Sequence, residues 1–239
     1  MAEELNADRF VERMAALVPA ARRAEFRQRS GLSARRGAES EGLTFDMRMR
    51  SIFDLAKEFV DLPPEGIEKL LDSAVHEVRV GALSVMDKQA RRNKTPEGRR
   101  KELFDLYLRR SDRIDSWDLV DLGAPHVVGR YLWDKPRKVL YKLARSKSPW
   151  ERRTAIVSTL YFVRKGDVED TFELAKLLLD DDHDSVQKAT GGLLREAGKK
   201  DVRGLRAFLD EHAATLARTT LRYAMEHLTS AERDHYRSL

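Results

Sequence analysis

Five short segments of this 239-residue chain can be written above one another in a single register. Val78-Arg-Val-Gly-Ala-Leu-Ser-Val-Met86 aligns with Glu151-Arg-Arg-Thr-Ala-Ile-Val-Ser-Thr159, Val186-Gln-Lys-Ala-Thr-Gly-Gly-Leu-Leu194 and Ala217-Arg-Thr-Thr-Leu-Arg-Tyr-Ala-Met225. Ser116-Trp-Asp-Leu-Val-Asp-Leu-Gly-Ala124 falls in the same register. Each is a polar entry followed by small and apolar residues, as in a helix packed between neighbours. The equivalent positions Arg79, Trp117, Arg152, Gln187 and Arg218 are separated by 38, 35, 35 and 31 residues. A period of roughly 30 to 47 residues in a helical chain predicts stacked helix pairs. The expected fold is therefore all-α, a C-shaped HEAT-like helical-repeat solenoid whose inner helices line a concave basic groove.

The rest of the chain agrees with that class. Leu5, Phe10, Met14, Leu17 and Val18 predict a helix over 4–29, interrupted at Pro19. Residues 30–44 are small and polar and predict a loop, whose Arg35 and Arg36 could reach a phosphate. Met49, Ile52, Phe53, Ala56 and Phe59 mark a helix that stops before Pro63 and Pro64, and the next begins over 65–73. A helix over 77–92, a basic turn over 93–96 and a helix through Arg109 follow. No stretch sustains period-two alternation, so no strands are expected. The expectation is one domain over 1–239, with a less regular helix and loop over 1–44 and stacked helix pairs over 45–239.

Composition narrows the function classes. The absence of cysteine excludes a disulfide framework, thiol catalysis and Cys-based zinc sites, and it fits a reducing cytoplasm. The acidic start, Met1-Ala-Glu-Glu-Leu5, is not that of a signal peptide, and no run approaches the roughly 18 apolar residues of a membrane span. A soluble protein is expected, with no membrane partner. Basic residues are clustered: nine against two acidic ones over 130–153, and seven against one over 88–101. Such clusters are either solvated helix faces or a polyanion footprint. Recurrence of charge in the repeat register favours a phosphate track. It would be formed by Arg79, Arg152, Lys188 and Arg218, with Arg91, Arg92 and Lys94 from the first cluster.

Ile114-Asp-Ser-Trp-Asp-Leu-Val-Asp121 places Trp117 and Asp121 one helical turn apart on one face, with Leu119 and Val120 turned away to bury. The pair is either a core tryptophan beside a solvated acid, or an aromatic plane and a carboxylate in a site. No serine–histidine–aspartate order, nucleophile elbow or phosphate-binding loop occurs, and the six histidines include no metal-binding spacing. Asp180-Asp-Asp-His-Asp184 reads as a helix N-cap with charge favourable to the dipole, not as a metal site. One carboxylate suffices for one class of glycoside cleavage. Ordinary sugars need a second carboxyl to protonate the leaving group, whereas a purine alkylated at N3 or N7 is already cationic and departs neutral. A fixed aspartate can then stabilise the oxocarbenium-like deoxyribose and present it to water. A tryptophan adds cation–π attraction of about 0.5 to 2 kcal/mol.

These motifs resemble the HEAT-like-repeat DNA alkylation repair glycosylases of the AlkD family. The resemblance is carried by Ile114 to Asp121, Trp150-Glu-Arg-Arg-Thr-Ala-Ile156, Asp182-His-Asp184 leading to Lys188-Ala-Thr-Gly-Gly-Leu-Leu-Arg-Glu196, and Arg218-Thr-Thr-Leu-Arg-Tyr-Ala224, in that order over roughly 50–239. It implies a monofunctional glycosylase, without cofactor or metal, that excises N3- and N7-alkylpurines from double-stranded DNA and leaves the base stacked. It also implies a cytoplasmic, nucleoid-associated monomer with no obligate protein partner. Carried over by motif, Asp121 is the catalytic carboxylate, Trp117 the aromatic against the sugar, and Arg153 the contact to phosphate near the lesion.

Two departures stand out. The family's second tryptophan is replaced by Gly192, and its N-terminal Gly-Val-Arg-x-Pro stretch by Asp46-Met-Arg-Met-Arg50. Gly192 either abolishes excision or widens the site for bulky adducts, a role filled by family members that protect cells against DNA-alkylating natural products. Retention of Trp117, Asp121 and Arg153 favours activity with a widened site. Trp133 and Trp150 are expected to be ordinary packing residues. The alternatives are a non-catalytic solenoid that binds damaged or branched DNA, and a protein-interaction scaffold.

Overall fold

In the computed structural model, residues 5–30 and 44–239 are described. Most of the loop expected over 30–44, including Arg35 and Arg36, lies outside them. The described residues form fourteen α-helices and no strand. None of these helices is long and apolar enough to cross a membrane. The chain divides into two compact units, Met1–Gly123 and Ala124–Leu239.

The first unit contains α1 (Ala7–Ala15), α2 (Arg23–Ser30), α3 (Met49–Glu58), α4 (Pro64–Leu71), α5 (His76–Arg91), α6 (Glu97–Arg109) and α7 (Trp117–Gly123). Asn6 caps α1 by accepting from the Arg9 amide at 2.9 Å, so this helix starts at Ala7 and not at residue 4. Pro19 separates α1 from α2, with a 3-10 turn over Ala20–Arg22 between them, and leaves Leu17 exposed. On α3 the buried stripe is Ile52, Leu55 and Ala56, while Met49 is exposed, so the apolar face lies slightly round from the expected one. α3, α5 and α7 pack in succession, and α4 and α6 both pack on α5. Surrounded in this way, α5 is apolar or small nearly all round, from Val78 to Met86.

The second unit opens with a π-helical turn, Ala124–Gly129. It continues with α8 (Lys138–Leu143), α9 (Pro149–Arg164), α10 (Glu169–Lys176), α11 (Asp184–Gly198), α12 (Val202–His212), α13 (Arg218–Ala224) and α14 (Ser230–Ser238). The π turn, α9, α11 and α13 pack in succession, with α10 against α9 and α11, and α12 against α11. Within each unit an inner row of helices therefore packs in succession, with other helices laid against it. The last helices close over Leu194, Leu205, Phe208, Leu209 and Leu221.

α11 and α13 approach closely where a side chain is missing. A Cβ on Gly191 of α11 would lie 2.5 Å from the Thr220 carbonyl oxygen of α13. A Cβ on the next residue, Gly192, would meet nothing within 4 Å. The two adjacent glycines thus have different reasons to be there: the first admits a helix, and the second is not required by packing. Gly191→Ala should destabilise the protein by about 1 to 3 kcal/mol, because the obstruction is backbone. Gly192→Ala should instead stabilise it by about 0.5 to 1 kcal/mol through helix propensity. Urea denaturation of the two variants checks the contrast, and equal effects would contradict it.

Candidate active site

Trp117 opens α7 with its side chain 59% exposed, and Asp121, one turn later, is also exposed. Between them Leu119 and Val120 are fully buried. The geometry excludes the core-tryptophan alternative: the aromatic and the carboxylate occupy the solvent edge of a helix whose other edge is anchored. Gly123 lets that anchored edge sit close, since a Cβ there would lie 2.6 Å from the Tyr107 ring and 2.7 Å from Leu83.

The segment leading into α7 is held by three side chains that sequence reasoning did not single out. Arg113 is 7% exposed and donates to the carbonyls of Leu71, Asp72 and Ser73, each at 3.0 Å. Asp115 accepts from Nη2 of Arg79 at 3.1 Å. Asp118 accepts from the Ser116 hydroxyl at 2.6 Å and from Nε2 of His76, the first residue of α5, at 2.7 Å. Burial alone raises the Asp118 pKa, but the bonds from His76 and Ser116 and the charge of His76 outweigh it and bring it down to about 2. The signal for this pair was available: His76 heads one inner helix and Asp118 lies in the first turn of the next.

The basic residues taken as a phosphate track divide into two groups. Arg79 is 6% exposed, and its Nη1 donates to the carbonyls of Ser73 and Ala74 at 3.0 and 3.3 Å. Arg152 repeats this arrangement in the second unit. Its Nη1 reaches the carbonyls of Ser146 and Lys147 at 3.1 Å, and its Nε reaches Asp181 at 2.5 Å. Both guanidinium groups bind carbonyls six and five residues back and an aspartate of the turn before the next inner helix. Their shared register is thus a structural tether and not a row of solvent-facing cations. Gln187 keeps part of the tether, donating to the Asp181 carbonyl at 2.7 Å. Arg153 is 8% exposed and donates to the hydroxyl of Ser185 at 3.0 Å and to its carbonyl. Arg92 pairs with Asp61 at 2.5 Å. Arg91, Lys94, Lys188 and Arg218 are exposed, with Lys188 paired to Asp184 at 2.6 Å and Arg91 to Asp87 at 2.9 Å.

The Asp180–Asp184 run does not cap α11. The N-cap position is His183, which makes no side-chain capping bond. Asp181 is instead the partner of Arg152 and accepts from the His183 amide at 3.0 Å, while Asp184 supplies the first-turn charge. Among the described residues no group of His, Asp or Glu is arranged to hold a metal ion. Trp133 packs on Tyr161 and Phe162 under the Arg137 guanidinium, and Trp150 stacks edge-on against His183, so both have packing partners.

A family model described as "DNA alkylation repair enzyme" matches residues 25–228. No curated protein matches the chain. Among solved structures, "Predicted DNA alkylation repair enzyme from Enterococcus faecalis" is similar with a TM-score of 0.56 at 15% identity. The match covers 96% of this chain and 100% of that one. At this identity the likeness shows the fold.

The Asp118 clasp has a measurable consequence. Its folded value lies below the ordinary 3.8, so its stabilisation is complete above that value and is lost as pH falls through about 2. In a carboxyl NMR titration, His76→Ala should raise the Asp118 midpoint towards 3.8. A midpoint unmoved by that substitution would refute the pairing.

Proposed function

The chain belongs to the DNA alkylation repair enzyme family, and from that membership we propose that it hydrolyses the N-glycosidic bond of cationic N3- and N7-alkylpurines in duplex DNA. The observation that carries this reading is the exposure of Trp117 and Asp121 on the one solvent edge of α7. Asp121 stabilises the oxocarbenium-like sugar and positions the attacking water. Trp117 lies one turn away and adds the attraction of its π face for the same charge. The alkylated base leaves neutral without a general acid, so no second carboxylate is needed, and by the family resemblance the base stays stacked. Arg153, held by Ser185 at the start of α11, is the guanidinium assigned to the phosphate beside the lesion. Exposed Arg91, Lys94, Lys188 and Arg218 are the remaining phosphate contacts in this proposal. Arg79 and Arg152 act by holding the repeats.

Gly192, which stands where the family has tryptophan, underlies the reading of a site open to adducts bulkier than methyl. The same feature favours a second reading, a solenoid that binds damaged duplex without excision. Single-turnover release of 7-methylguanine and of a bulky N3-adenine adduct separates the two. Wild type should release at least one of them, and Asp121→Asn should slow release by about 100-fold or more while leaving duplex affinity within about threefold. Release of neither base by wild type would leave only the binding reading.

Gly192→Trp tests the width of the site. Restoring the aromatic should increase methyl-base excision and reduce bulky-adduct excision. Parallel changes in both rates would contradict the widened-site assignment.

A further inference from the structure

α6 begins without a side-chain cap, because its N-cap residue is Pro96. Its first intrahelical donor is the Arg100 amide, so the Gly98 and Arg99 amides lie ahead of the ladder. Above Gly98 there is open space: a Cβ would meet no atom within 4 Å. A cavity of about 430 Å³ occupies this end of the helix, walled by the end of α5, the turn into α6 and Asp61. Such a volume accommodates a phosphate together with a nucleoside-sized body.

Two side-chain atoms on residues lining this cavity are buried without a partner, Nε of Arg92 and Oγ1 of Thr95, and Nη1 of Arg99 is buried with only the Glu102 carboxylate as its ion-pair partner. Thr95 itself is 3% exposed. An orphaned buried polar group is costly, and a guanidinium nitrogen with a hydroxyl, set beside a helix N-terminus, calls for an acceptor-rich anion. Two carboxylates occupy part of that role. Asp61 accepts from Nη2 of Arg92 at 2.5 Å, and Glu102 lies 3.1 Å from Nη1 of Arg99. Their side chains are 63% and 59% exposed, so both can return to water when a stronger anion arrives. The bond from Arg92 and the charges of Arg92, Lys94 and Arg99 hold the Asp61 carboxyl below its ordinary value, as a cationic rim would.

We propose that this cavity is a phosphate-monoester site in which the α6 N-terminus, Arg92, Thr95 and Arg99 bind the phosphate oxygens and displace Asp61. A monoester dianion presents three equivalent acceptor oxygens to a donor set spread around a helix end, whereas a carboxylate presents two. The phosphate belongs either to a free nucleotide or to the end of a nucleic-acid strand. The assignment is independent of the glycosidic chemistry of Asp121.

The test is calorimetric titration of the full chain at constant ionic strength with inorganic phosphate, deoxyadenosine monophosphate, and nicked duplexes bearing a 5′-phosphate or a 5′-hydroxyl. Arg99→Gln should weaken phosphate binding about tenfold and Thr95→Val about threefold, as expected for one charged and one neutral hydrogen bond. Asp61→Asn should tighten it about threefold by removing the competing carboxylate, a change of opposite sign that unfolding cannot produce. A nucleotide tighter than inorganic phosphate, with the two nicked duplexes equal, identifies a free ligand. Preference for the 5′-phosphorylated nick identifies a strand end. No phosphate binding by wild type or Asp61→Asn up to about 10 mM would overturn the proposal, as would equal affinity in wild type and Arg99→Gln.

Discussion

The buried guanidinium that ties one helix pair to the next is the interaction on which the placement of the candidate groups depends. Arg79 and Arg152 each bind two carbonyls of the turn that precedes their own helix and a carboxylate of the turn that leads into the next inner helix, α7 or α11. A turn between helices leaves backbone acceptors with no partner in the helical ladder, and burying them unmet would cost more than the bonds themselves gain. The arginine satisfies those acceptors and carries its own charge to an aspartate. Breaking such a pair leaves a buried charge uncompensated, on the order of 3 to 5 kcal/mol. The turns carrying Asp115 and Asp181 are therefore fixed, and so are the starts of α7 and α11.

At position 117 the same register holds tryptophan, and the consequence is visible in burial. Arg79 is 6% exposed, whereas Trp117 is 59% exposed. The start of α7 gives up the arginine tether and presents an aromatic surface to solvent. Its anchorage comes from other bonds: Arg113 to three carbonyls of the α4–α5 turn, and the His76–Asp118 clasp one residue beyond the tryptophan. An exposed tryptophan with rigid support below it is held in place, as the proposed contact to a charged sugar would require, since a misplaced group loses most of its effect.

The period of the repeat made the helices that carry these groups legible, along with the stacking order within each unit, because a packed inner helix must be small and apolar nearly all round. It did not distinguish two uses of a recurring arginine. A cation at the head of each inner helix looks the same in sequence whether it faces a groove or folds back onto its own turn. The carbonyls it binds are backbone atoms and leave no trace in the residue string. The aspartates leave a trace that has the form of helix capping: Asp181 sits in an acidic run before α11, yet it is the partner of Arg152. Trp117 and Asp121 were legible because one turn of helix puts both on one face whatever the surroundings. The cavity at the α6 N-terminus was legible only as a basic cluster, since its definition lies in which donors are left without partners.

Gly191 and Gly192 show why a substituted family position must be weighed against packing before it is read as function. Two adjacent glycines in an α-helix are costly, by about 1 kcal/mol each relative to alanine. For Gly191 the cost is offset by the approach of α13, whose Thr220 carbonyl would stand 2.5 Å from any Cβ. Gly192 has no such compensation: nothing lies within 4 Å of where its side chain would begin. A helix that accepts this loss with no packing gain has kept space and not contact. Under the glycosylase reading, Gly192 stands where the family has tryptophan, and the space beside this part of α11 is left open.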